Sequence, residues 1–99
     1  MKNTKTIETR TAEELAEFLG LSPADGFEIE VRTELNSKII EIVEKRGLTH
    51  AQVAKLAGTS RTRMTALLNR NTKEISTDLM LRVLGSLGYR AKLSFAKAS

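Results

Sequence analysis

The sequence predicts an all-α fold of five helices with one short β-strand at its C-terminal end. Three observations carry that expectation. Apolar residues recur at three- to four-residue spacing over most of the chain. Hydroxyl residues stand where such runs begin, and glycines where they stop. A single segment, Tyr89-Arg90-Ala91-Lys92-Leu93-Ser94-Phe95, convincingly alternates apolar and polar with the period of a strand.

Residues 1–10 are polar, although Lys5–Thr9 could form a short strand. Thr11-Ala12-Glu13-Glu14 is a capping box, with a hydroxyl at the cap and a carboxylate three residues on. It opens a helix presenting Leu15, Phe18 and Leu19, which Gly20 ends. Ser22-Pro23-Ala24-Asp25 is a second start signal, with Pro at the first helical position and an acid in the first turn. Phe27, Val31, Leu35, Ile39, Ile42 and Val43 then repeat until Gly47 and predict one long helix, with Gly26 its weak point and Thr33 a place where it could break. The alternation Phe27-Glu28-Ile29-Glu30-Val31 would also suit a strand.

Residues 47–70 are the most informative part of the chain. Thr49 is placed to cap a short helix on which Val53, Leu56 and Ala57 recur at helical spacing. Gly58 stands where that helix must stop and the chain must turn, and without a Cβ it takes positive φ cheaply. Ser60 then caps a second helix anchored by Met64, Leu67 and Leu68. Two short helices joined by such a turn make a helix-turn-helix. After a polar loop, Thr77 is expected to cap a last helix with the apolar face Leu79, Met80, Val83, Leu84 and Leu87, ended by Gly88.

These residues resemble the XRE/Cro-type helix-turn-helix shared with lambdoid phage repressors. Ala54 matches the family's small residue in the first helix, Gly58 its turn glycine, and Met64 and Leu67 its two anchors in the second. The continuation from Ile75 to Tyr89, ending in a Leu-Gly-aromatic step, resembles the branch found in HigA-type antitoxins of type II toxin–antitoxin pairs. The resemblance covers roughly residues 33–95. The expected architecture is a lambda-repressor-like domain over 33–88, an acidic extension over 1–32, and a C-terminal strand and tail over 89–99. One strand cannot satisfy its own backbone, so it is expected to pair with the same strand of a second subunit through Tyr89, Ala91, Leu93 and Phe95. Pairing with Lys5–Thr9 is the alternative.

The 99 residues suffice for one domain, and with 4% aromatic content and no Trp its core must be aliphatic. Net charge is +4, unevenly spread. Residues 1–34 hold four Lys/Arg against eight Asp/Glu, a net −4, and residues 35–99 hold twelve against four, a net +8. A basic C-terminal two-thirds is the footprint of a polyanion binder. One histidine, no cysteine and no Gly-rich phosphate loop leave no nucleophile–base pair and no metal cluster, so neither an enzyme nor a cofactor is expected. No signal peptide or apolar run of membrane length is visible, and a cytoplasmic protein is expected.

With the buried side of the second helix fixed by Met64, Leu67 and Leu68, its opposite side carries Thr62, Ala66 and Asn69. Arg61 and Thr65 flank one edge, Arg63 and Arg70 the other. Helices of this kind enter the major groove N-terminal end first, so Arg61 is a candidate for guanine, and the Thr62 and Ala66 methyls for thymine. Arg63, Arg70 and Lys73 suit phosphates. The resemblance adds Ser60 to the base-touching set. It also puts His50 where relatives usually carry a glutamine facing the backbone or the outermost base. The functional expectation is a homodimeric regulator, most simply a repressor, on a palindromic double-stranded DNA operator. The antitoxin resemblance adds a small basic RelE-like toxin as a partner of the acidic N-terminal third. The competing readings are a stand-alone regulator without a toxin and an interaction module without DNA activity.

Overall fold

The computed structural model describes residues 23–97. The chain divides into two units, Met1–Glu34 and Leu35–Ser99. The helices are α1 (Pro23–Arg46), α2 (His50–Ala57), α3 (Arg61–Leu68) and α4 (Thr77–Ser86). The described residues therefore hold four helices rather than five, and no strand. The helix expected at 11–19 and the strand at 5–9 lie outside them.

α1 runs unbroken through Gly26 and Thr33, so the alternation over 27–31 is helical. Among its apolar residues Phe27 and Val31 are exposed and Ile29 is half-buried, and Leu35 is the first buried hydrophobic side chain. In the second unit, one cluster joins Leu35, Ile39, Ile42 and Val43 of α1 to Val53, Ala54 and Ala57 of α2. Met64 and Leu67 of α3, Ile75 of the following loop, and Leu79, Met80, Val83, Leu84 and Leu87 complete it. Each fully buried side chain of this size contributes about 1.5–3 kcal/mol of transfer free energy, so an aliphatic core suffices here without Trp. Leu56 departs from expectation: it is 56% exposed. Val53, Ala54 and Ala57 form the buried stripe, and Leu56 lies roughly 100° around the helix from it.

The ends of the helices follow local chemistry. Thr49 Oγ1 accepts from Gln52 N at 3.1 Å, while Gln52 Oε1 accepts from Thr49 N at 2.8 Å, a reciprocal capping box. Ser60 Oγ caps α3 by accepting from Arg63 N at 3.1 Å. The cap of α4 is Ser76, which accepts from Leu79 N at 3.1 Å, and not Thr77, which is the first helical residue. Two adjacent hydroxyls offered the same signal, and the N–H of Leu79 lies three residues after Ser76, the reach of a cap. At the end of α2, Gly58 adopts φ +70°, and Thr59 N donates to Ala54 O at 3.0 Å, closing the turn in a Schellman motif.

Beyond Gly88, residues 89–97 carry no regular secondary structure, which corrects the expected strand. An extended segment leaves its N–H and C=O groups without ladder partners unless a second strand lies beside it, and the described residues of this chain supply none. Leu93 and Phe95 are 78% and 92% exposed. Tyr89 packs intramolecularly, with Lys38 Nζ 5.7 Å and Arg46 Cζ 5.6 Å from its ring centroid.

Candidate nucleic-acid interface

α3 is held in place from three sides. The turn at Gly58–Ser60 sets its start, Met64 and Leu67 anchor it in the core, and Asn36 of α1 donates from Nδ2 to the Leu67 carbonyl at 2.8 Å. Asn36 is a buried polar residue, 5% exposed, and the sequence reading did not find it. The available signal was an amide beside Leu35 at the start of a strongly apolar helical run.

The opposite side of α3 faces solvent. Arg61, Thr62, Arg63 and Asn69 are exposed, as is the capping Ser60, and Thr65 is half-buried. Arg61, Thr65 and Asn69 follow one another at single-turn spacing and form an edge, with Thr62 beside them. His50, the first residue of α2, closes onto that edge, its Nδ1 lying 2.9 Å from Thr65 Oγ1. Two residues proposed separately from the sequence are thus a contacting pair. Ala66, expected at the centre of the stripe, is half-buried and packs against the core, so it offers less surface than the pattern alone suggested.

Two cations stand apart. Lys73 is exposed in the loop after α3. Arg70 lies beyond the Asn69 cap and turns back to α1, where its Nη1 donates to Ser37 Oγ at 3.2 Å. It also carries φ +63°, the one described non-glycine in the left-handed region. Asn71 N donates to Ala66 O at 2.8 Å and Arg70 N to Leu67 O at 3.1 Å, so α3 ends in the same motif as α2, with arginine in the place of glycine. An arginine gives no sequence-level sign of such a turn.

A family model described as a helix-turn-helix domain matches residues 11–95. The chain belongs to the helix-turn-helix domain family. The match spans both the core and the solvent-facing edge of α3, and it agrees with the capped pair α2–α3 and the glycine turn between them. No curated protein sequence and no solved structure matches the chain significantly. No helix among the described residues is long and apolar enough to cross a membrane. Nor do the described residues include a cluster of three or more His, Asp or Glu able to hold a metal ion.

Proposed function

We propose that this helix-turn-helix protein is a sequence-specific transcriptional repressor that binds a palindromic operator as a homodimer. The observation that carries the reading is the solvent-facing edge of α3, capped by exposed Ser60 and bearing Arg61, Thr62, Thr65 and Asn69, in a unit whose net charge is +8. Arg61 donates to a guanine edge, Thr62 supplies a methyl for thymine, and Arg63 and Lys73 neutralise phosphates. Two copies reading successive major grooves lie about 34 Å apart. The exposed apolar side chains of Leu93 and Phe95, with Ala91 between them and α4, favour a second copy as the partner of that segment.

The test is a titration of the chain's own promoter DNA with wild type and with the double variant Arg61→Ala/Arg63→Ala. The variant is expected to lose sequence preference while staying folded. Full specific affinity in the variant would contradict the reading and favour an interaction module.

A second reading adds antitoxin activity. The division between the units falls between Glu34 and Leu35, and residues 1–34 sum to −4 while residues 35–99 sum to +8. An acidic unit joined to a basic one suits a protein that holds DNA with one part and a small basic toxin ribonuclease with the other, in the cytoplasm. Deleting residues 1–30 is then expected to abolish toxin binding and spare operator binding. Loss of both would contradict the division of labour.

A further inference from the structure

His50 and Thr65 meet on the edge that the proposed function assigns to DNA, and their contact has two chemically distinct states. The 2.9 Å separation of His50 Nδ1 and Thr65 Oγ1 admits one hydrogen bond, whose direction depends on where the protons are. With the imidazole neutral and its proton on Nε2, Nδ1 accepts and the Thr65 hydroxyl spends its only proton inward. Its lone pairs then face outward, and Thr65 acts toward DNA as an acceptor. With the imidazole protonated by solvent, Nδ1–H donates to Oγ1, and the hydroxyl proton is free to point outward. Thr65 then acts as a donor.

We propose that His50 sets the hydrogen-bond sense of Thr65, so that the base preferred at Thr65's contact changes with protonation of His50. The inference rests on the DNA-reading role of α3. In the major groove, cytosine N4 is a donor, guanine O6 and N7 and thymine O4 are acceptors, and adenine presents both, a donor at N6 and an acceptor at N7. With the neutral ring carrying its proton on Nε2 the pair therefore favours cytosine, and with the ring charged it favours guanine or thymine, while adenine can be read in both states. Both residues are half-buried, so the contact is sheltered yet reachable.

The charged groups on the surrounding elements are of both signs. α3 carries Arg61, one turn before Thr65, and Arg63; α2 carries Lys55; α4, which packs against α2, carries Asp78 and Arg82. α1, which shares the core with α2 and α3, ends in Glu44, Lys45 and Arg46, four to six residues before His50, and Lys73 and Glu74 lie in the loop after α3. Neither α2 nor α3 carries a carboxylate.

The experiment is selection of bound duplexes from a randomised pool by the full chain at pH 5.5 and pH 8.5, with far-UV circular dichroism at both to establish folding. At one position in each half-site, the ratio of cytosine to guanine plus thymine is expected to fall by about fivefold or more at the lower pH. Thr65→Val and His50→Gln should each abolish that shift, leaving preferences at other positions in place. An identical ratio at both pH values would overturn the inference while sparing the DNA reading. Uniformly tighter binding to all sequences at pH 5.5 would also overturn it, since that reports a phosphate contact alone. No selected sequence at either pH would overturn the DNA reading, and this inference with it.

Discussion

Asn36 Nδ2 donates to the carbonyl of Leu67 at 2.8 Å across 31 residues of sequence, tying α1 to the penultimate residue of α3. The same carbonyl also accepts from Arg70 N at 3.1 Å, so both of its lone pairs are used. The bond is buried, which makes its loss costly and its geometry selective.

Asn36→Ala is expected to destabilise the domain by about 1–3 kcal/mol, from the lost hydrogen bond and the cavity left behind. Asn36→Asp should be worse at neutral pH, because a buried carboxylate would face a carbonyl oxygen it can only repel. Burial raises the pKa of the introduced carboxyl in the folded state above its unfolded value. The folded state then binds more protons, so stability is recovered at low pH, where the acid can donate, and is lost as pH rises through the folded-state value. Urea denaturation at several pH values measures both effects.

Gly58 and Gly85 separate two reasons for a glycine. A Cβ added at either would meet nothing within 4 Å, but Gly58 sits at φ +70° and Gly85 within α4 does not have positive φ. Gly58→Ala is therefore expected to cost about 1–2 kcal/mol of purely conformational energy. Gly85→Ala should gain about 0.8–1 kcal/mol of helix propensity. Thermal unfolding of the two variants should show shifts of opposite sign.

Arg70 at φ +63° pays the same conformational cost as any non-glycine there. Its bond to Ser37 is exposed and returns little. Arg70→Gly is expected to stabilise the domain by up to about 1 kcal/mol, measurable by chemical denaturation.

Local signals carried most of what could be read in advance. Thr49, Gly58, Ser60 and the apolar face of α4 act within a turn of their own position, so spacing alone located them. Ser76 and Thr77 offered the same hydroxyl one residue apart, and only the N–H reached decides between them. Arg70 gave no warning because left-handed backbone is signalled by glycine or asparagine. Asn36–Leu67 and His50–Thr65 join residues 31 and 15 apart, and no local pattern encodes which polar groups tertiary packing will bring together. The period-two segment at 89–95 illustrates the converse: alternation describes a face, whereas a strand also needs a neighbour.

Thr59 Oγ1, in the turn between α2 and α3, is buried without a hydrogen-bond partner. Thr59→Val keeps the branched shape and removes the unsatisfied hydroxyl. It is expected to raise stability by about 1 kcal/mol, again by urea denaturation, with the α2–α3 geometry retained.

The most direct test of the central claim, that the exposed edge of α3 reads DNA, is a fluorescence titration of the chain's own promoter duplex against a scrambled duplex over a salt series. The account predicts binding to the promoter at least about 10³-fold tighter than to the scrambled sequence, weakening steeply with salt for both. Equal affinity for the two duplexes at every salt concentration would contradict it.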